Sequence, residues 1–177
     1  MPLTNGFVVV SGLPASGKTT LARQLADELN VPLISKDEIK EAMATAIPVT
    51  SIDDSRMIGA ASFEVLYAIA RELRSGILDA NWSPNCALGQ LMHLESRFVE
   101  VYCTCPPHVR KARFLKRLST SRHPAHAEHF QDRDELGRDL ASDIYLKPIG
   151  IGHLLTVDTN RHPEIPSLAM EILEILR

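Results

Sequence analysis

Residues 12–19 read Gly-Leu-Pro-Ala-Ser-Gly-Lys-Thr, which is the complete pattern G-x-x-x-x-G-K-[ST]. Glycines let the backbone curl so that successive N–H groups point inward at phosphate oxygens. Lys18 would then reach the β- and γ-phosphates of a nucleotide, and the hydroxyl of Thr19 would bind Mg²⁺. The pattern therefore predicts a phosphate-binding loop for ATP and Mg²⁺. The expected nucleotide contacts are Gly12, Leu13, Pro14, Ala15, Ser16, Gly17, Lys18, Thr19, Thr20, Arg117 and Asn160.

The sequence on both sides of this loop fits the same interpretation. The apolar run 7–10 indicates a short buried strand before it. Leu21, Leu25 and Leu29 recur at four-residue spacing after it, which predicts an amphipathic helix that begins near Gly17. The N-terminus of that helix would add partial positive charge to the anion site. A glycine-rich turn that binds nothing is the weaker alternative.

A carboxylate and a lysine follow the second predicted strand. Asp37 would face the γ-phosphate, where it could accept the proton of an attacking hydroxyl or orient Mg²⁺ through water. Lys40 lies one helical turn farther on and could hold an anionic group of the substrate. The alternative is an ordinary helix cap formed by Asp37, with Lys40 in solvent.

The third predicted strand ends with Asp79, after Ile77 and Leu78. Two apolar residues followed by aspartate at a strand end is a Walker-B-type pattern, which presents a carboxylate to Mg²⁺ or to a substrate. An aspartate at a strand end can also simply form a turn. Trp82 follows closely, and it could stack on a planar substrate or fill the core.

Basic residues cluster after the fourth predicted strand. Arg110, Arg113 and Arg117 share one helical face, and Arg122 follows them. Arginines that close over the transferred phosphoryl group would stabilise its charge. A solvated basic face is the alternative.

Three histidines recur at three-residue spacing, at His123, His126 and His129. A zinc site is disfavoured, because no cysteine or clear fourth ligand accompanies them. Contacts of His123 and His126 with substrate or phosphate are the preferred interpretation, and exposed polar filler is the alternative. Asn160 lies in a polar stretch after the fifth predicted strand, where it could contact adenine or merely turn the chain.

Strand and helix signals alternate along all 177 residues, which predicts an α/β fold with a five-stranded parallel sheet and helices on both faces. One domain is expected over residues 1–177, with a helical lid near 107–147. Predicted strands lie at 7–10, 31–35, 77–79, 98–102 and 153–157. Predicted helices begin near 17, 37, 87, 107 and 164, and a long helix follows a turn and cap at residues 51–54, with Gly76 expected to end it.

Composition excludes several classes of protein. The net charge of −3 argues against bulk binding of nucleic acid. Neither a signal peptide nor an apolar run long enough to span a membrane is present, so a cytoplasmic location is expected. Cys86, Cys103 and Cys105 lack the even number and regular spacing of a disulfide framework.

These segments together resemble the small P-loop kinases of the AAA-labelled group, which includes zeta-toxin-like proteins, chloramphenicol phosphotransferase and polynucleotide 5′-hydroxyl kinases. The resemblance extends over nearly the whole chain. It rests on residues 12–20, 34–40, 76–81, 113–117 and 122–126, in that order.

The resemblance implies a three-layer P-loop fold and a kinase that transfers the γ-phosphoryl group of ATP to a hydroxyl. It implies that Asp37 activates the acceptor hydroxyl and that Arg113 and Arg117 contact the ATP phosphates. Two positions depart from the group: Lys40 stands where relatives often have arginine, and Ala125 stands where the lid usually has glycine.

The expected acceptor is a small molecule, such as an antibiotic, nucleoside or sugar. The catalytic residues would be Lys18, Asp37, Arg113, Arg117 and Arg122, the metal contacts Thr19, Asp37 and Asp79, and the substrate contacts Asp37, Lys40, Asp79, Trp82, His123 and His126. Three alternatives remain open: a kinase for polynucleotide 5′-hydroxyl ends, a toxin-like or switch protein that binds nucleotide without an acceptor of its own, and a nucleotide or sugar kinase of central metabolism. Nucleoside monophosphate kinases share the fold of the group, but their typical substrate-binding signatures are not evident in this sequence, so they rank lower.

Overall fold

The computed structural model of the chain describes Leu3, Phe130 and residues 5–119, 123–126 and 147–177. In this part of the chain, five parallel strands form one sheet in the order β2-β3-β1-β4-β5. The strand bounds are β1 Gly6–Gly12, β2 Leu33–Ser35, β3 Ser75–Asp79, β4 Phe98–Thr104 and β5 His153–Asp158. The predicted parallel sheet of five strands is confirmed.

Helices cover both faces of this sheet. Their bounds are α1 Lys18–Leu29, α2 Lys36–Ala46, α3 Ile52–Glu72, α4 Pro84–Met92, α5 Pro107–Ser119 and α6 Ile165–Leu176. Apolar residues of α1 and α6 pack on one face, and those of α3 and α4 pack on the other, which is the predicted three-layer arrangement. None of the helices in the described ranges combines the length and apolar composition needed to cross a lipid bilayer.

The central strand β1 is buried along its whole length. Parallel strands covered on both faces are continuously apolar, because alternate side chains face two separate layers of core. Val8 and Val10 contact the α1 side, and Phe7 and Val9 contact the α3 side. The strand is thereby fixed, and its carboxyl end leads directly into the glycine-containing loop.

Gly76 does not end α3, contrary to the prediction. The helix begins behind the predicted cap, a capping box formed by Ser51 and Asp54, but it ends at Glu72. Gly76 lies within β3, where a Cβ atom would come within 3.0 Å of Ile34 and 3.1 Å of the carbonyl oxygen of Pro32. Close approach of β2 to β3 explains the glycine better than helix termination does.

The sequence predicts that the helix after Pro107 carries Val109, Ala112, Leu115 and Leu118 on one apolar side, but this side does not hold the buried residue of α5. Phe114 is the buried residue of this helix, whereas Leu115 is 54% exposed. The guanidinium of Arg117 lies 5.1 Å from the centre of the Phe114 ring. The helix therefore presents its arginine side, rather than its leucines, to the rest of the protein.

A fully buried glutamate, Glu100, binds residues 149–151, which lead into β5. It lies on β4, and its side chain is on the same face of the sheet as Phe98. Its carboxylate accepts hydrogen bonds from the Ser11 hydroxyl and from the backbone N–H groups of Ile149, Gly150 and Ile151. Four uncharged donors thus satisfy the hydrogen-bonding capacity of one buried carboxylate, and the sequence analysis did not identify this feature.

Replacing Glu100 by leucine should strongly destabilise the fold. The substitution removes the acceptor of four hydrogen bonds inside the core, and each buried donor left without a partner costs about 1–3 kcal/mol. We expect urea unfolding to show a loss of at least about 3 kcal/mol. Glu64→Leu on the exposed side of α3 is the control and should change stability little. A loss below about 1 kcal/mol for Glu100→Leu would contradict the anchoring role.

Candidate active site

A cleft of about 680 Å³ opens at the carboxyl ends of the strands. In open parallel sheets this edge is where ligands bind. The cleft receives residues from the glycine-containing loop, from α1, α2 and α5, and from the segments that follow β3 and β5. Its main polar lining residues are Lys18, Thr19, Thr20, Arg23, Gln24, Ser35, Asp37, Glu38, Glu41, Asp79, Asn81, Arg113, Arg117, Thr159, Arg161 and His162.

Both glycines of the loop adopt backbone conformations that side chains disfavour. Gly12 has a φ of +129°, and a Cβ atom there would lie 2.4 Å from the carbonyl oxygen of Cys103. Gly17 has a φ of +94°, and its Cβ would lie 3.2 Å from the side chain of Thr159. Ala15 also occupies the left-handed region, with a φ of 62°. The loop is therefore curled as the motif predicts, with α1 starting at its end.

Lys18 is held inside this loop. Its side chain is buried, and Nζ donates to the carbonyl oxygens of Gly12 at 3.0 Å and Leu13 at 2.9 Å. Burial lowers the pKa of Lys18 to about 8, and the charge of Asp79 opposes that shift. With a pKa of about 8, the Lys18 side chain is mostly charged near neutral pH, and it lines the cleft.

Thr19 and Asp79 meet at the floor of the cleft. Asp79 is buried, and burial raises its pKa above the ordinary value. A hydrogen bond from the Thr19 side chain and the charge of Lys18 oppose this shift, whereas the charge of Asp37 adds to it. A hydroxyl and a carboxylate side by side are the oxygen ligands that Mg²⁺ prefers, so this pair fits the predicted metal contact.

Asp37 lies in the first turn of α2 and lines the cleft. Its side chain is 38% exposed, and Oδ1 lies 3.3 Å from Nζ of Lys36. The carboxylate is therefore accessible from the cleft while remaining near a cation. It is also not the helix cap, because that position belongs to Ser35.

Lys40 does not line the cleft, in contrast to its predicted contact with substrate. The side chain is 5% exposed, and Nζ donates to the Ser55 hydroxyl on α3 at 2.8 Å. The helical geometry places residues 37 and 40 one turn apart, but α3 packs against α2 and encloses the lysine. Lys40 thus belongs to the contact between α2 and α3.

Trp82 is part of the core and not a stacking surface for substrate. It is 2% exposed, and its ring packs against those of Phe63 and Tyr67. The indole N–H donates to the carbonyl oxygen of Val10 at 2.9 Å. Trp82 therefore supports the end of β1, immediately before the loop, and the core interpretation is the correct one.

Two of the predicted arginines reach the cleft. Arg113 donates to the hydroxyl and the carbonyl oxygen of Thr159, at 3.0 and 2.9 Å, and approaches the carbonyl oxygen of Ser16 at 3.4 Å. Arg113 therefore connects α5 to Thr159 and to the loop at Ser16. Arg117 lines the cleft one helical turn farther along α5. Arg122 lies outside the described residues, and its role stays a prediction.

His123 and His126 do not line the cleft, contrary to their predicted contact with substrate. His123 accepts a hydrogen bond from the backbone of Ala125, and His126 is buried with Nε2 2.7 Å from Oε1 of Glu41. His129 lies outside the described residues. No group of three metal-ligating side chains occurs among the residues that are described. Asn160 is exposed, and its N–H donates to Asp158 within a turn.

Thr159 is the functional residue that sequence reasoning missed most clearly. Its hydroxyl donates to the carbonyl oxygen of Ser16, and its N–H donates to the carbonyl oxygen of Thr104. The segment 158–161 was recognisable as a loop beside the site, but no local pattern distinguishes Thr159 from its neighbour Asn160. Arg23, Glu38 and Glu41 were missed for the same reason, because only helix packing brings them to the cleft.

Comparisons with known proteins agree with this geometry. Residues 7–135 match the family described as AAA domain. A cytidylate kinase of Pyrobaculum arsenaticum is 30% identical over 162 residues, which cover 86% of this chain and 83% of that protein. A presumed kinase from Chloroflexus aurantiacus is 27% identical, with a TM-score of 0.83 that covers 99% of this chain and 100% of the other. The APS kinase of Mycobacterium tuberculosis, solved with AMPPNP and APS, shares the fold at 19% identity, with a TM-score of 0.59 and 99% coverage of both chains.

Proposed function

The chain belongs to the AAA-labelled group of P-loop kinases and is an ATP-dependent phosphotransferase, and from that premise we propose that it phosphorylates a hydroxyl group of a small polar molecule. The observation that carries this proposal is the shared cleft of Lys18, Thr19, Asp79 and Asp37. One cleft is lined by a lysine that can bind phosphate, by a pair of oxygen ligands for a metal ion and by an accessible carboxylate. The proposal takes residues 1–177 as one kinase domain, and the described residues of its predicted lid include α5 and residues 123–126.

Each residue has a distinct part in the proposed reaction. Lys18 and the backbone N–H groups of the loop hold the β- and γ-phosphates. Thr19 and Asp79 would hold Mg²⁺, which supplies positive charge to the phosphate oxygens when bound. Arg117 is placed to stabilise the charge that spreads over the transferred group, and Arg113 keeps the loop in position.

Asp37 is the proposed general base. As the acceptor oxygen attacks the γ-phosphorus, its proton passes to the Asp37 carboxylate, and the bond from phosphorus to the bridging oxygen of ADP breaks. The partial exposure of Asp37 to the cleft supports this assignment, since the carboxylate is open to an incoming hydroxyl. The protein contributes mainly position and electrostatic stabilisation.

The charge of the acceptor side favours an acceptor without a phosphate group. Along α2 the side chains in the cleft are the carboxylates of Asp37, Glu38 and Glu41. Of the basic residues on the same helix, Lys40 is enclosed, and Lys36 is mostly buried with its Nζ 3.3 Å from Oδ1 of Asp37. Arg23 of α1 pairs with Glu38 at 2.8 Å, so none of these cations is left over on this side to bind a phosphate group. A neutral or amino-bearing polyol would meet less repulsion here than a phosphorylated molecule would.

A nucleoside monophosphate is the second candidate acceptor. The observation that favours it is the 30% identity to cytidylate kinases of Pyrobaculum arsenaticum and Ignicoccus hospitalis. In that case a phosphate oxygen, rather than a hydroxyl, would attack the γ-phosphorus.

An acceptor panel distinguishes the two functions. The protein is incubated with ATP and Mg²⁺ and either with neutral and amino-bearing polyols and nucleosides or with CMP and UMP. ADP release above the rate without acceptor, and a product heavier by one phosphoryl group, are measured. We expect product from a hydroxyl acceptor and none from the monophosphates. Product from CMP or UMP alone would contradict the proposed function and establish the second candidate.

A further inference from the structure

The segment His123–His126 is fastened to the helix pair α2–α3 by two polar contacts. The Ser55 hydroxyl on α3 donates to the carbonyl oxygen of Ala125 at 2.7 Å. Nε2 of His126 lies 2.7 Å from Oε1 of Glu41 on α2. Ala125 is fully buried and His126 is 4% exposed, so the contacts lie inside the protein. Residues 125 and 126 are therefore buried against these helices and do not lie loosely on the surface.

Ser55 joins three parts of the chain through one hydroxyl. The ammonium of Lys40 can only donate, so in the 2.8 Å contact the Ser55 oxygen is the acceptor. The single hydroxyl proton is then available for the carbonyl oxygen of Ala125. Ser55 is completely buried, so water does not replace either partner. Helix α2, helix α3 and the segment therefore meet at this side chain.

This meeting point connects the two sides of the cleft. Lys40 lies one helical turn from Asp37 on α2, and the segment follows α5, which carries Arg113 and Arg117. Movement of the segment away from these helices would remove the acceptor of the Ser55 hydroxyl and the partner of Glu41 on α2. Since a shift of about 1 Å can cost a reaction about 100-fold, these contacts to α2 and α3 bear on the chemistry.

We propose that Ser55 is a positioning residue, which sets the placement of Asp37 relative to the arginine-bearing helix α5. The catalytic half of this inference rests on the proposed function. Its structural half, the docking of residues 123–126 through the Ser55 hydroxyl, is independent of any acceptor.

Ser62 supplies a matched control on the same helix. It is also completely buried on α3, but its hydroxyl donates to the carbonyl oxygen of Ile58 within the helix and approaches the sulfur of Met43. Ser55→Ala and Ser62→Ala thus remove the same group at equal burial, and only Ser55→Ala breaks the contact with Ala125.

Two readouts are compared between these variants. The first is amide hydrogen exchange of the peptide that contains residues 123–126, measured without acceptor. We expect faster exchange in Ser55→Ala and no change in Ser62→Ala. The second readout compares kcat, measured with the acceptor that the panel identifies, with the affinity for a nonhydrolysable ATP analogue. We expect kcat to fall about 10-fold to 100-fold in Ser55→Ala, with affinity for a nonhydrolysable ATP analogue unchanged.

Several outcomes would overturn the proposal. Unchanged exchange in Ser55→Ala would show that the hydroxyl does not hold the segment. Faster exchange with unchanged kcat would show docking without a positioning role, and an equal fall of kcat in Ser62→Ala would indicate a general loss of packing. If the wild-type protein phosphorylates no hydroxyl acceptor, the proposed function fails, and the exchange experiment alone decides the docking. Should Ser55→Ala not fold, Ser55→Cys, with its weak donor, undergoes the same measurements.

Discussion

Replacing Asp37 by asparagine is expected to lower kcat for phosphoryl transfer by about 10²-fold to 10⁴-fold, because the amide cannot accept the proton of the acceptor hydroxyl. Binding of ATP should change little, since the proposed contacts with the phosphates come from the loop and Lys18. Single-turnover kinetics with the identified acceptor, combined with calorimetry of a nonhydrolysable ATP analogue, separate the two effects.

A carboxylate in a similar helical position provides the control for Asp37. Asp53 also lies in the first turn of a helix, α3, but its side chain is 86% exposed and outside the cleft. Asp53→Asn should leave kcat within about twofold, as expected for an exposed surface substitution. Full turnover in Asp37→Asn would show that the base is wrongly assigned, whereas equal losses in both variants would indicate an effect on folding.

Replacing Lys18 by alanine should reduce nucleotide affinity and turnover together. The ammonium would make charge-assisted hydrogen bonds to phosphate oxygens, and each such bond contributes about 1.5–3 kcal/mol. We expect the Kd for ATP to rise at least about tenfold and kcat to fall by a similar factor or more. Titration calorimetry with ATP and Mg²⁺ measures the first quantity, and ADP release measures the second.

Lys116→Ala is the matched control, because Lys116 is an exposed lysine of α5. It should bind ATP as the wild-type protein does. Unchanged ATP affinity in Lys18→Ala would contradict the central assignment of the loop. Loss of stability is a separate matter, because Lys18 also bonds to the carbonyl oxygens of Gly12 and Leu13. Thermal unfolding without nucleotide therefore accompanies both titrations.

The sheet and the loop could be predicted because their signals are local. A buried parallel strand is a continuous apolar run, and the loop glycines satisfy a backbone requirement that no other residue meets as well. The placement of Asp37 and Asp79 followed from the rule that strand carboxyl ends share one edge of the sheet. Their arrangement around Lys18 and Thr19 agrees with that expectation.

The environment of Lys40, Trp82 and His126 could not be predicted, because it depends on packing between distant segments. Lys40 and Ser55 are 15 residues apart, and His126 and Glu41 are 85 residues apart. In all three cases the residue type alone led to a predicted contact with substrate. Polar or aromatic side chains beside a binding site suggest contact with a ligand, but here each finds a partner within the protein. The buried Glu100 shows the same limit, since nothing local marks it among apolar neighbours.

The anchor at Glu100 has a consequence for how this protein can diversify. The chain leaves the carboxyl end of β4 into α5 and returns to the same strand, where Glu100 grips residues 149–151. Both boundaries of the intervening stretch are thereby secured on one rigid support. Sequence changes between α5 and residue 149 are therefore expected to leave the sheet in place, whereas α5 itself must keep Arg113, which contacts Ser16 and Thr159 beside the nucleotide loop.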